Sequence, residues 1–132
     1  MANANEATLR NSYAAFGRGD VQPMLDSLAD DIKWYVSGRS PLADEYTAKQ
    51  EVLSFFGRMM ELYKGNLRLE VLDVLANGRH GIALTKEHGE YAGRQFEFQE
   101  LHVWDFRDGN LAHFHVFYDD AYHQFWSTAV HR

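Results

Sequence analysis

This sequence predicts an α+β fold in which three N-terminal helices pack on a curved antiparallel sheet and enclose one pocket. Three observations lead to it. Apolar residues recur at helical spacing over much of the first half of the chain. After Gly65 their period changes to two, and Asn-Gly and Asp-Gly dipeptides then divide the chain into hairpins. Helices that precede an antiparallel meander gather on one of its faces. The 132 residues suit one core, and an apolar content of 45% is enough to fill it, so residues 1–132 are read as a single domain.

The elements follow in order. Residues 5–17 predict a helix, because Leu9, Tyr13 and Phe16 share a stripe and Gly17 and Gly19 end it. Asp20 is the expected N-cap of a second helix with Pro23 in its first turn and Val21, Met24, Leu25 and Leu28 on its buried face. Residues 32–36 read as a short strand, and Gly38, Ser40 and Pro41 mark a loop running on to Thr47. Residues 48–63 form the clearest helix, with Val52, Phe55, Phe56, Met59, Met60 and Tyr63 in one wide stripe. Leu67, Leu69 and Val71 then alternate with Arg68 and Glu70. Asn77-Gly78 closes a hairpin onto a strand at 79–87, and 89–94 is a polar turn. A long strand at 95–107 turns at Asp108-Gly109 into the last strand, 111–118. Asp119 is positioned to cap a short final helix through Trp126.

Composition excludes several functions. The net charge is −6 with no Lys/Arg cluster, which speaks against nucleic acid and against a basic membrane-binding face. The absence of cysteine removes disulfides, Cys-ligated zinc and a thiol nucleophile. Residues 1–20 lack the apolar stretch of a signal peptide, and no apolar run approaches the length of a membrane span. A cytoplasmic location is the resulting expectation. Nine Phe, seven Tyr and three Trp exceed what core packing needs, and an aromatic-lined cavity accounts for the excess.

Three segments carry a resemblance over nearly the whole chain: SYAAFGRGDVQPMLDSLADDIKWYVSGRSPLADEY, the helix EVLSFFGRM and the closing hairpin HVWDFRDGNLAHFHVF. They resemble the nuclear transport factor 2-like superfamily and, within it, the SnoaL-like and ketosteroid isomerase-like proteins. The resemblance implies a cystatin-like cone and puts Trp34 at the pocket floor. It does not carry one activity, because this fold hosts isomerases, cyclases, dehydratases, epoxide hydrolases and non-enzymatic binders. Carried over residue by residue, the isomerase base position is Val36, the oxyanion-stabilising tyrosine position is Ser12 with Tyr13 beside it, and the second oxyanion donor position is His102. These departures speak against steroid isomerisation itself.

The candidate site lies in the long strand. Phe96, Phe98, Glu100, His102, Trp104 and Phe106 share one face, more apolar than the face of Glu97, Gln99, Leu101, Val103, Asp105 and Arg107. Glu100 and His102 are therefore expected inside, roughly 7 Å apart along the strand. A carboxylate beside an imidazole fixes its tautomer and can move a proton in an enolisation, an aldol cyclisation or a dehydration. A buried histidine bonded only to backbone or a tyrosine is the competing, structural reading. The facing of the last strand depends on its turn. A two-residue turn at Asp108-Gly109 pairs His102 with His115 and Trp104 with His113, whereas a G1 bulge at Gly109 shifts the register by one. The resemblance favours the bulge, with Phe114, Val116 and Tyr118 inward and His113 and His115 on the outer face at a dimer interface. A metal held by His113, His115 and Asp119 is the weaker reading, because the second histidine motif that cupins need is missing downstream.

The sequence predicts a small-molecule pocket protein, an isomerase, cyclase or dehydratase acting without cofactor or metal on an apolar carbonyl or hydroxyl compound. His102 is expected as general acid/base, Glu100 as its orienter and Tyr13 or Tyr118 as a hydrogen-bond donor. Ser12, Phe16, Trp34, Val36, Phe55, Phe56, Met59, Trp104, Phe114, Val116 and Tyr118 are expected to line the pocket, with Arg39 and Tyr46 at its mouth. A ligand-binding or dimerisation module without chemistry is the alternative. The expected partners are a small apolar molecule and a second copy of the chain, since Leu101, Val103, Leu111 and Phe117 are expected to form an apolar outer face that needs cover.

Overall fold

The computed structural model describes residues 3–129. The chain runs α1 (Ala4–Gly17), α2 (Gln22–Ser27), β1 (Leu28–Val36), β2 (Asp44–Thr47), α3 (Lys49–Tyr63), β3 (Leu67–Ala76), β4 (His80–Tyr91), β5 (Arg94–Arg107), β6 (Asn110–Tyr118) and α4 (Asp120–Ala129). The strands form one curved sheet in the order β2-β1-β6-β5-β4-β3. Helices pack on its concave face, so the α+β architecture follows the spacing of apolar residues. Among the described residues, no helix is long and apolar enough to cross a membrane.

Local chemistry sets the helix ends. Asn3 caps α1 by accepting the amide of Glu6 at 2.7 Å. Beyond the last turn Gly19 takes φ +82°, and the amide of Asp20 returns to the carbonyl of Ala15 at 2.9 Å. Glu51 does the work of a missing cap on α3, accepting the amide and the hydroxyl of Thr47, both at 3.1 Å. Lys64 and Gly65, both at positive φ, end that helix. Arg10 ties α1 to the sheet by donating to the carbonyl of Val74 at 2.7 Å.

Several expectations need correction. The sheet is mixed, because β1 and β6 run parallel, Trp34 lying opposite Phe114 and Val36 opposite Val116. A pairing between strands so far apart in sequence leaves no local signal. β2 lies inside the stretch expected to be loop and pairs antiparallel with β1, Tyr46 opposite Trp34. Its four residues have no strand-like run, and the edge of β1 supplies the partner. β1 starts at Leu28, which was expected on the second helix. Asn77-Gly78 belongs to a longer loop, in which the Asn77 side chain accepts the amides of Arg79 and His80, each at 2.8 Å.

The closing hairpin reaches the expected facing by another route. Asp108 and Gly109 both take positive φ, +52° and +81°, and Arg107 pairs with Asn110, so this is a two-residue turn. The register shifts further along, where Phe106 pairs with Leu111 but Asp105 with His113, leaving Ala112 as the extra residue. Past that bulge Phe114 and Val116 point inward, while Leu111 before it is fully buried rather than on the outer face. A second bulge lies between Val71 and Asp73 in β3. Such bulges bend their strands and help the sheet to curl.

Gly89 marks the tightest approach at the wide end of the sheet. A Cβ there would lie 2.5 Å from the Phe96 ring and 2.8 Å from the carbonyl oxygen of Asn66. Gly89→Ala is expected to cost about 1–3 kcal/mol, read as a lower denaturant midpoint. An unchanged midpoint would contradict this close approach.

Candidate functional site

Alternation along β5 sends Glu100, His102 and Trp104 to the concave face, where all three are buried. β6 adds Phe114, Val116 and Tyr118, β1 adds Trp34 and Val36, α1 adds Tyr13 and Phe16, and α3 adds Phe55, Phe56 and Met59. All of them line a cavity of about 400 Å³. Aromatic rings shape its floor. Trp34 stacks on Phe114 with centroids 4.0 Å apart and meets Phe55, Phe56 and Trp104 at 5.5–5.7 Å.

Two expected positions fall elsewhere. Ser12 is buried behind the wall, its hydroxyl 3.3 Å from that of Ser27, because one helical step turns it away from Tyr13 towards α2. Tyr46 is buried rather than at the mouth, donating to the carbonyl of Leu42 at 2.7 Å and accepting from Arg58 at 3.0 Å. Arg39 is exposed in the loop after β1.

The polar groups form one directed chain. Trp104 Nε1, which can only donate, lies 3.0 Å from the Tyr13 hydroxyl. The single Tyr13 proton is thereby left for His102 Nδ1 at 2.6 Å. Nδ1 must accept, so Nε2 carries the proton and donates it to Glu100 Oε1 at 2.9 Å. The imidazole is held neutral with both nitrogens engaged. Burial agrees with this, lowering the His102 pKa to about 4.

Both ring nitrogens of His102 are taken, by Tyr13 and by Glu100. Glu100 holds the free valence. Its Oε2 is buried without a fixed partner. Desolvation is the main cause that pushes its pKa up to about 7, with the neighbouring Glu87 carboxyl opposing and Asp119 adding repulsion. Glu87 was not singled out from the sequence. It sits on β4 two pairs along from Glu100 and on the same face, since Glu87 pairs with Phe98 and Thr85 with Glu100. Although part of its surface stays accessible, its carboxyl is desolvated, and burial first and then Glu100 raise its pKa well above the ordinary range. Glu87 is therefore the member of the carboxyl pair that keeps its proton. Alternation along β4 could have revealed it, because Ala83, Thr85 and Glu87 share the inward face. Tyr63 and Tyr122, also absent from the expected set, line the same end of the cavity, and burial raises both hydroxyl pKa values.

His113 and His115 lie on the outer face. His113 is 4.0 Å from Asp105, which also meets His80 at 3.0 Å. Asp119 is engaged elsewhere, accepting the amide of Tyr122 at 3.1 Å and that of Gln99 at 3.0 Å. The histidine-aspartate cluster weighed for a metal is thus not assembled. Among the described residues no group of three or more His, Asp or Glu side chains is placed to hold an ion.

Comparison with known proteins adds to this geometry. The family model described as a SnoaL-like domain matches residues 9–114. The uncharacterized protein Rv0034 of Mycobacterium tuberculosis is 26% identical over 122 residues, which is 90% of this chain and 93% of that protein. Among solved structures, Bal32a, from a soil-derived mobile gene cassette, is similar with a TM-score of 0.84 at 25% identity, covering 93% of this chain and 96% of its own. An NTF2-like protein of unknown function from Burkholderia pseudomallei has a TM-score of 0.83 at 28% identity, covering 96% and 99%.

Proposed function

The chain belongs to the SnoaL-like domain family, and we propose that within it this protein is an acid-base catalyst for a small apolar compound carrying a carbonyl or hydroxyl group. One observation carries the reading: Glu100 is buried in an aromatic cavity, with one oxygen held by a neutral histidine and the other without a fixed partner. Its pKa of about 7 suits a base that takes and returns a proton near neutral pH. In an enolisation, Glu100 Oε2 takes the proton from the carbon beside the carbonyl, the C–H electron pair forms the C=C bond, and the carbonyl π pair moves to the oxygen. Glu87, carrying its own proton, is the donor available to that oxygen. The proton on Glu100 then returns to another carbon, or it protonates a β-hydroxyl that leaves as water as the carbonyl re-forms.

His102 is a positioning residue here, and Tyr13 and Trp104 fix its tautomer. The test is exchange of the α-protons of 2-tetralone in D2O, followed by NMR. Exchange above the buffer rate, rising with pH through about 7 as Glu100 ionises, is the expected result. Binding of 2-tetralone without exchange would favour the alternative, a ligand carrier. His102→Ala removes the donor to Glu100 Oε1, so the pH profile is expected to move upward as well as the rate to fall. A change in rate with no shift of the profile would assign His102 a packing role only.

The same reading includes a homodimer through the outer sheet face. Leu75, Ile82, Val103, His115 and Tyr35 lie in one ladder row across five strands, and Leu84, Leu101 and Phe117 lie in the row beside it. Leu75, Ile82, Leu84, Phe117 and Tyr35 are each exposed by 36–54%. Such a patch needs cover. Ile82→Lys is expected to convert a dimer to a monomer in sedimentation equilibrium, and a wild-type monomer would refute the dimer.

A further inference from the structure

Taking the cavity as the ligand site, as proposed above, we propose that it also binds a competing ligand class, a positively charged nitrogen on an apolar body, with the ammonium group seated between Glu100 and the tyrosine rings beside it in place of the substrate's acidic C–H. Three observations converge on this class. First, Glu87 and Glu100 both line the cavity, and no Lys or Arg does so among the described residues. Arg58 on α3 donates to the Tyr46 hydroxyl at 3.0 Å and to the carbonyl of Pro41 at 2.8 Å. An anionic ligand would meet a carboxylate with nothing to neutralise it. Second, Glu100 Oε2 is a buried acceptor without a fixed partner, and the Glu100 side chain is only 3% exposed. A buried acceptor left in that state costs free energy that a charged donor recovers. Third, aromatic rings line the cavity together with the Glu100 carboxyl. Tyr118 is opposite Glu100 in the sheet and stacks on Tyr122 with centroids 3.4 Å apart, and Tyr63 closes the cavity from α3. Rings with a carboxylate among them make a cage for an alkylammonium ion. The net charge of −6 favours the approach of cations as well.

The groups facing Glu100 decide the pH dependence. They are Tyr13 from α1, Tyr63 from α3, Glu87 from β4, His102 on β5 itself, Tyr118 from β6, Asp119 after it and Tyr122 from α4. The tyrosines are pushed above their ordinary range and stay neutral, and His102 is neutral above about pH 4. Glu100 is the group that changes charge near pH 7, and Glu87 beside it keeps its proton. A bound cation stabilises the ionised Glu100, so binding expels a proton wherever Glu100 is protonated in the free protein. Affinity for a permanent cation is therefore expected to rise as pH increases through about 7.

The experiment compares 4-phenylbutylamine, protonated throughout, with its neutral isostere 4-phenylbutanol, by calorimetric titration at pH 6 and pH 8. The amine is expected to bind about tenfold tighter than the alcohol at pH 8. Its advantage is expected to shrink at pH 6, with proton release detected in buffers of different ionisation enthalpy, and to vanish in Glu100→Gln. Equal or tighter binding of the alcohol, failure of both to bind, or an amine advantage that survives Glu100→Gln overturns the proposal. The wild-type comparison and its pH dependence decide the matter even if that variant does not fold. Loss of the amine preference with 2-tetralone exchange intact refutes the cationic class and leaves the acid-base reading standing. The preference without exchange refutes the chemistry and keeps the class.

Discussion

Glu100→Gln is expected to lower 2-tetralone exchange by about 10²–10⁴-fold, the range a positioned general base contributes. The amide oxygen can still accept the His102 proton, so the local geometry is kept while the base is lost. The same change is expected to stabilise the protein at high pH. The Glu100 pKa is raised in the folded state, so its share of stability is present below the ordinary carboxylate pKa and is lost as pH rises through about 7. At pH 8 the wild type carries the cost of a buried carboxylate, about 3 kcal/mol from a shift of this size, and the variant does not. The difference in unfolding free energy between variant and wild type is therefore expected to grow from pH 5 to pH 8. His102 acts in the opposite sense, its lowered pKa removing stability only as pH falls towards about 4, so it does not mask the trend above pH 6.5. A variant that is inactive and also less stable at pH 8 would show that Glu100 is a structural acceptor rather than a strained functional group.

Trp126→Ala is expected to cost about 3–5 kcal/mol, the range for truncating a fully buried large aromatic. Trp126 is 0% exposed and holds α4 across the end of the sheet. Its ring meets Tyr91 at 4.9 Å, Phe125 at 5.1 Å and Tyr63 at 6.3 Å, while Phe125 meets Phe96 at 5.2 Å. Truncation frees α4, and with it Tyr122, which lines the cavity, so ligand affinity is expected to fall with stability. Trp126→Phe isolates the cause. The indole N–H has no partner, so nothing polar is lost, and a cost under about 1.5 kcal/mol is expected. Chemical denaturation of both variants checks this. Equal costs for the two would mean that the indole makes a hydrogen bond or that α4 is not held by packing.

Much of the fold was legible because it is written in local periods. The stripe of Val52, Phe55, Phe56 and Tyr63 marks α3, and the alternation of Phe96, Phe98, Glu100, His102 and Trp104 fixes which face of β5 is buried. That one alternation also placed Glu100 and His102 together inside, since neighbours two apart on a strand share a face whatever the sheet around them. β2 was not legible, because its strand character comes from β1. The parallel pairing of β1 and β6, and the bulge at Ala112 rather than Gly109, were not legible either, since register is settled by which side chains the assembled sheet can bury.

The sequence by itself determined the α+β class, the inward face of β5 and the aromatic wealth of the cavity. Only the tertiary structure decided the roles within the site. Tyr13 reaches His102 from another element 89 residues away, and Glu87 meets Glu100 across the β4–β5 hairpin. Those contacts, together with the loss of water around them, set which nitrogen bears the proton and which carboxyl keeps one. Periodicity along a chain says which side chains are buried together, but the charge state of a buried group is fixed by partners and desolvation that exist only after the elements have packed.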